Sequence, residues 1–115
     1  MPRDYRLYLD DILEAVALIR EYVKGVDDEA FTKDRKTQDA VIRNLEIIGE
    51  AARNVPENLK ENAPAVDWKK IIGLRNILSH AYFGVSIPII WDIVQNKLEP
   101  LEKECRDLLE HSDKS

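Results

Sequence analysis

The sequence predicts an all-α protein, an antiparallel bundle of four to five helices. Apolar residues recur at the i, i+3, i+4 spacing of an amphipathic helix in every long segment. Only four glycines and five prolines interrupt the 115 residues, and no segment alternates with the period of two that marks a strand. The length fits one domain over residues 1–115, with a C-terminal tail that we expect to fray from about residue 111.

The first helix is predicted between Asp4 and Gly25. Gly25 fits the position just past a helix C-terminus, where the backbone turns left-handed and glycine carries no steric penalty. One face of this segment is apolar over its whole length. The residues of that face are Tyr5, Tyr8, Leu9, Ile12, Leu13, Val16, Ile19 and Val23.

A polar connection is expected next, with Thr32 or Asp34 as the N-cap of a second long helix. That helix begins near Lys36 and ends before Pro56, since a proline disfavours the α conformation in the residue that precedes it. A short helical turn is predicted over Glu57 to Glu61. The apolar face of the second helical segment consists of Val41, Leu45, Ile48, Ala52 and Val55.

The second half of the chain holds the remaining helices. Asp67 is predicted to cap a helix that runs from Trp68 to about Tyr82. The last helical region begins near Ser86, where Pro88 is tolerated because the first turn of a helix needs no N–H donor. Pro100 is expected to kink or restart this region, because an interior proline removes a hydrogen bond and clashes with the preceding turn.

The composition narrows the possible functions. The single cysteine, Cys105, excludes an intramolecular disulfide and a multi-cysteine metal site, and we expect it to be a small, semi-buried apolar residue. No apolar run approaches the roughly 18 residues that cross a bilayer, and the N-terminus has no signal region, so we expect a cytoplasmic protein without a membrane partner. The net charge of −5 argues against a general nucleic-acid coat but is compatible with a local basic patch that binds RNA.

The segment from Trp68 to Gly84 places polar and apolar side chains on different faces of its predicted helix. Asn76 and His80 are four residues apart and are therefore neighbours on the polar stripe. Arg75 lies at the border of that stripe, about 140° from His80 in a regular helix. A pocket that uses both side chains needs a second wall, either from another helix or from another protomer.

Arg75 and His80 are sufficient for one kind of chemistry without a metal. Histidine exchanges protons near neutral pH, and arginine stays charged with a planar fork that matches phosphate oxygens. With RNA, His80 takes the 2′-hydroxyl proton, the 2′ oxygen attacks the neighbouring phosphorus, and Arg75 stabilises the charge on the phosphoryl oxygens. The alternative is that the two residues only cap a helix C-terminus, with Tyr82 as a core residue whose hydroxyl reaches the rim.

The order of Arg75, His80 and Tyr82 resembles the signature of HepT-like toxins of the HEPN superfamily. The resemblance covers nearly the whole chain, from about Tyr5 to Leu109, and is carried by several segments besides the motif. The similar segments are residues 43–52, 68–76 and 82–85, together with Trp91.

This resemblance implies a homodimer in which Arg75 and His80 of both protomers converge on an interfacial cleft. It implies a metal-independent endoribonuclease without a cofactor, which acts on RNA as the toxin of a type II/VII-like toxin–antitoxin pair. The implied partner is a minimal nucleotidyltransferase of the MntA kind, which in that family can transfer AMP from ATP to the tyrosine that corresponds to Tyr82. A bulky anion there would occupy the phosphate site and repel RNA.

Other residues have supporting roles in this interpretation. Asn76 matches the polar residue after the arginine in such motifs, and we expect it to orient His80 or the substrate phosphate. Glu46 and Glu50 lie four apart on one helix face, where they hold Arg75 or a partner's basic residue, or are plain surface charges. Two other functions stay open: a non-catalytic HEPN interaction domain that binds a nucleotidyltransferase, and a purely structural helical bundle.

Overall fold

The computed structural model describes residues 4–74 and 87–113, with side chains through residue 110. These ranges contain seven helices, more than the four to five expected, and none of their residues is assigned to a strand. The all-α prediction is therefore confirmed. The helices are α1 (Tyr5–Val23), α2 (Asp28–Lys33), α3 (Arg35–Arg53), α4 (Glu57–Glu61), α5 (Trp68–Ile72), α6 (Ile87–Asn96) and α7 (Leu98–Asp113).

The two long helices α1 and α3 pack against each other and form the centre of the bundle. The helix α7 lies against α1, and α5 lies against α3. All five apolar residues predicted for the second helical segment are buried, and so are Leu9, Ile12, Val16 and Ile19 of α1. These two apolar faces account for much of the core. Burial of each of their valine, leucine and isoleucine side chains stabilises the fold by about 1.5–3 kcal/mol.

The predicted polar connection between the first two long helices is wrong, because residues 28–33 form α2. The Asp27 side chain caps this helix and accepts the Ala30 N–H at 2.8 Å. Its one buried apolar residue is Phe31, whose ring centroid lies 4.8 Å from that of Trp91 in α6. A six-residue helix with a single buried side chain has too little periodicity for sequence reasoning to detect.

The N-cap of α3 is Asp34, and the alternative, Thr32, is wrong. One carboxylate oxygen of Asp34 accepts the Thr37 N–H at 3.1 Å and the other accepts the Thr37 hydroxyl at 2.6 Å. Thr32 lies inside α2 and donates its hydroxyl to the Asp28 carbonyl oxygen. The hydrogen bonds from Thr37 hold the pKa of Asp34 below its usual value.

Several helix ends agree with the sequence. Gly25 follows α1 with a φ of 76°, the left-handed conformation expected there. The short helix over Glu57 to Glu61 is confirmed as α4, and Asp67 caps α5.

Two other boundaries differ from the prediction. An unbroken helix from Trp68 to Tyr82 is wrong at Gly73, which is the C-cap of α5, in keeping with the low helix propensity of glycine. In the last region, α6 ends at Asn96 and α7 restarts at Leu98. Pro100 is therefore the third residue of a new helix, where its missing N–H costs no hydrogen bond.

Cys105 is fully buried in α7. Burial, with a smaller contribution from Glu104, raises the pKa of its thiol to about 12. Within residues 4–74 and 87–113 no helix has both the length and the apolar character of a bilayer span.

Candidate functional site

The four residues predicted to carry the chemistry, Arg75, Asn76, His80 and Tyr82, lie outside the described residues. The structure describes the chain on both sides of them, as far as Leu74 and again from Ile87. The candidate site is therefore built from the elements that lead into and out of the motif.

The element that leads into the motif is α5, and its start is firmly held. The Asp67 carboxylate accepts the Lys70 N–H at 3.2 Å, and its other oxygen lies 3.9 Å from the Lys70 Nζ. Trp68 is buried and donates its indole N–H to the Ala63 carbonyl oxygen at 3.0 Å. Because α5 also packs against α3, the residue that precedes Arg75 has a fixed position on the bundle.

The end of α5 is a close turn at Gly73. The Gly73 N–H donates to the Lys69 carbonyl oxygen at 3.0 Å. A Cβ atom at Gly73 would lie 3.2 Å from that same oxygen, so a larger residue there would need a small shift of the backbone. Leu74, the next residue, is buried with 3% of its surface exposed and anchors the chain just before the motif.

A cavity of about 490 Å³ lies between α5 on one side and α6 and the start of α7 on the other. Its walls include buried apolar residues from both sides, and its polar groups come from side chains of both signs. A cavity of this size and composition is typical of sites that hold an apolar group beside a few polar contacts. The apolar wall includes Val66, Ile71, Leu74, Ile93 and Leu101, and the polar residues are Asp67, Lys70, Asp92, Asn96 and Lys97.

Sequence reasoning missed this cavity, because its two walls come from segments separated by the motif. The signal available in the sequence is the apolar stripe of α6, which includes Ile89. In the structure Ile89 is 48% exposed and lines the cavity. On the same wall the Asn96 amide donates to the Asp92 carboxylate at 2.6 Å. An exposed isoleucine beside a hydrogen-bonded polar pair indicates that this surface of α6 is not covered by the described part of the bundle.

A second depression, of about 340 Å³, runs along the outer side of α3. It is lined by Arg43, Glu46, Ile47 and Glu50. Glu46 is half-buried and Glu50 exposed, so the two acidic residues share one face as their spacing predicts. Arg43 has no carboxylate within 4 Å among the residues that the structure describes.

The described part of the chain shows no group of three or more histidine, cysteine, aspartate or glutamate side chains that could hold a metal ion. Several of its basic side chains are already paired with carboxylates. Arg20 lies 2.7 Å from Glu102, and Lys33 lies 3.1 Å from Glu29. Fewer of the described cations are therefore unpaired than the count of lysines and arginines in the sequence indicates.

The all-α bundle fits a HEPN-like fold, with one depression along α3 and a cavity beside α5. Residues 12–108 match the family model described as ribonuclease HepT-like. The chain belongs to the HepT-like ribonuclease family.

Proteins with related sequences span nearly the same length. A Thermococcus cleftensis protein named probable ribonuclease HepT is 43% identical, over 94% of this chain and 98% of its own. A Methanocaldococcus jannaschii protein named as a candidate RNase is 46% identical, over 95% of this chain and 91% of its own. The Shewanella oneidensis protein named mRNA nuclease HepT is 27% identical, over 82% of this chain and 92% of its own. No solved structure gives a significant match.

Proposed function

We propose that this protein is a metal-independent endoribonuclease, the toxin of a type II/VII-like toxin–antitoxin pair, with Arg75 and His80 as its catalytic residues. The observation that carries the proposal is membership of the HepT-like ribonuclease family over residues 12–108, in a chain that has both residues at the motif spacing. The name mRNA nuclease carried by one relative supports RNA as the substrate.

The proposed reaction uses the nucleophile that RNA itself supplies. His80 accepts the 2′-hydroxyl proton while the 2′ oxygen forms a bond to the adjacent phosphorus. The bond from phosphorus to the 5′ oxygen breaks, and that oxygen receives a proton from the protonated histidine of the site. Arg75 stabilises the negative charge that develops on the phosphoryl oxygens, and Asn76 orients His80 or the phosphate.

The proposed active form is a homodimer in which both protomers contribute to one cleft. In a regular helix Arg75 and His80 point about 140° apart, so one motif helix alone cannot place both on the same phosphate. A second protomer supplies the opposite wall. This arrangement also gives an acidic protein a local concentration of positive charge, since two arginines meet in one cleft.

Cleavage of RNA in the presence of EDTA tests the catalytic proposal. We expect the purified protein to cleave RNA without a metal, and His80→Ala to lower the rate by about a hundredfold or more. The matched control is His111→Ala, because His111 is the other histidine of the chain, and it should retain the wild-type rate. Cleavage that requires a metal, or that survives His80→Ala, would contradict the mechanism.

The same assay distinguishes the ribonuclease from the alternative function, a non-catalytic interaction domain. A non-catalytic interaction domain would bind a nucleotidyltransferase of the MntA kind, leave RNA intact, and respond little to His80→Ala. The net charge of −5 is the observation that favours this alternative, because phosphate binding relies on lysine and arginine.

Regulation by the antitoxin is proposed to occur at Tyr82. Co-expression with a minimal nucleotidyltransferase should increase the mass of the protein by whole AMP units, located on Tyr82 by peptide mass spectrometry. The modified protein should lose RNA cleavage, because the added phosphates occupy the position of the substrate phosphate. Tyr22, which is 38% exposed, is the internal comparison. Modification of Tyr22 in place of Tyr82 would contradict the proposed regulatory site.

A further inference from the structure

The cavity beside α5 has an apolar wall on each side. Val66, Ile71 and Leu74 contribute to the wall on the α5 side, and Ile93 and Leu101 contribute to the wall of α6 and α7. The volume of about 490 Å³ lies within the range of about 300–1,000 Å³ that is usual for small-molecule sites. A planar ring between these walls would contact aliphatic side chains on both faces, as unstacked nucleobases do in proteins that bind them.

The polar residues of the cavity fall into two groups. Asp67 and Lys70 already satisfy each other at the start of α5, through a hydrogen bond of 3.2 Å to the Lys70 N–H and an ion pair of 3.9 Å to its Nζ. The other three, Asp92, Asn96 and Lys97, lie at the C-terminal end of α6. The polar edge of a bound ring would therefore be recognised at this end of the cavity.

The Asp92 carboxylate is held in place for such a contact. The Asn96 amide nitrogen donates to its Oδ1 at 2.6 Å, while its Oδ2 has no partner in the described part of the chain. Lys97 is exposed and has no carboxylate within 4 Å among the same residues. One end of the cavity therefore combines an oriented acceptor with an unpaired cation.

This combination matches the base guanine. Guanine is the RNA base whose Watson–Crick edge presents two adjacent N–H donors, on N1 and N2, beside the carbonyl oxygen O6. A carboxylate can accept both N–H groups, and a lysine ammonium can donate to O6. The two aspartates and two lysines of the cavity balance in charge, which suits a neutral base better than a free anion.

We propose that the cavity binds a guanine base of the RNA substrate, with Asp92 on N1 and N2 and Lys97 on O6. The inference rests on the proposed ribonuclease function and specifies a base that the enzyme selects. Leu74 lines the cavity and directly precedes Arg75 in the chain. The guanine therefore belongs to a nucleotide close to the phosphate that Arg75 contacts.

Binding of non-cleavable hexanucleotides to the full-length protein tests this site. The probes are 2′-fluoro uridine hexamers, which lack the attacking hydroxyl, with one central guanosine, inosine or adenosine. Inosine differs from guanosine only by the missing N2 amino group. By fluorescence anisotropy, the wild type should bind the guanosine hexamer about tenfold or more tightly than the inosine hexamer, the difference expected for one hydrogen bond to a charged group.

Two variants with matched controls assign the effect to the cavity. Asp92→Asn removes one acceptor and should reduce the preference for guanosine over inosine to within about twofold. Ile89→Trp should weaken binding of the guanosine hexamer by about tenfold, because Ile89 lines the cavity and a larger ring there would fill it. Asp10→Asn and Leu7→Trp make the same changes at exposed positions of α1 and should match the wild type. Far-UV circular dichroism verifies that each variant is folded.

The other outcomes contradict the inference. Equal binding of the three hexamers, no binding of any of them, or a guanosine preference that persists in Asp92→Asn would each overturn the guanine site. Because the probes cannot be cleaved, these results are independent of catalysis. Guanosine binding without cleavage of RNA in EDTA would overturn the ribonuclease proposal alone, and cleavage without a guanosine preference would overturn the guanine site alone.

Discussion

At the scale of single residues, Gln38 shows how one polar side chain joins two elements of the bundle. Gln38 is buried, and its amide nitrogen donates to the carbonyl oxygens of Phe31 at 2.8 Å and Thr32 at 3.0 Å. Those carbonyls belong to the last turn of α2, whose oxygens have no partner inside the helix. The side chain of α3 therefore completes the end of α2.

Replacement of Gln38 by leucine tests this role. The change keeps the approximate volume and removes both donors. The Thr32 carbonyl then loses the hydrogen bond from Gln38, and the Phe31 carbonyl keeps only the one from the Asp34 N–H at 3.3 Å. We expect the free energy of unfolding, measured in urea, to fall by about 1–3 kcal/mol. The control is Gln95→Leu at an exposed position of α6, for which a change within about 0.5 kcal/mol is expected. Equal effects at the two positions would show that the hydrogen bonds of Gln38 contribute nothing.

Gly25 occupies a position where the backbone conformation favours glycine. Its φ is 76°, and no atom lies within 4 Å of the Cβ position that a larger residue would occupy. The cost of Gly25→Ala is therefore a backbone cost, and we expect about 1 kcal/mol of lost stability in thermal unfolding. Gly25→Asn should lose less, because asparagine tolerates the left-handed conformation. An alanine variant as stable as the wild type would contradict the observed turn.

At the scale of the elements, the start of α3 depends on one carboxylate. Thr37 donates two hydrogen bonds to the side chain of Asp34, and these lower the pKa of Asp34 from 3.8. A carboxyl whose pKa is lower in the folded state stabilises the fold above its unfolded pKa. That contribution is lost as the pH falls through the folded pKa.

The variant Asp34→Asn is expected to separate the charge of this cap from its geometry, since asparagine also caps helices well. Near pH 7 it should melt at a lower temperature than the wild type. The difference should begin to shrink as the pH falls below 3.8, where the carboxyl of the unfolded chain takes up a proton, and should be lost once the pH is below the lowered pKa of the folded state. Asp10→Asn, at an exposed position of α1, is the control and should show no such convergence. A constant gap between Asp34→Asn and wild type over this range would argue against the charged cap.

The prolines show why element boundaries are harder to predict than elements. Pro100 correctly indicated an interruption, but the break lies at Lys97, because α7 begins early enough to hold the proline in its first turn. Gly73 did not predict the end of α5, because a single glycine is often tolerated inside a helix. Its effect depends on the tight turn against the Lys69 carbonyl, which only the folded chain shows.

At the scale of the whole molecule, the packing of α7 on α1 protects the single thiol. Cys105 is fully buried, and burial raises its pKa to about 12. Because the thiolate is the reactive form, we expect alkylation by iodoacetamide near pH 8 to be about a hundredfold or more slower in the native protein than in concentrated urea.

The rate of this labelling should follow the unfolding of the bundle as urea is added. Mass spectrometry measures it directly, because the chain has only one cysteine. The variant Cys105→Ala, which should not be alkylated, controls for other sites. Rapid labelling without urea would show that α7 does not stay packed on α1.

The amino-acid sequence by itself determined the all-α class, the two long helices and most of the core, because the i, i+3, i+4 spacing of apolar residues specifies both a helix and its buried face. It also pointed to Arg75, His80 and Tyr82, since the motif is local. The tertiary structure decided what depends on contacts between distant segments. Phe31 of α2 packs against Trp91 of α6, and the cavity beside α5 exists only because α6 returns to face it. The periodicity of a single segment does not predict these contacts between helices, because they form only when separate helices pack their apolar faces together.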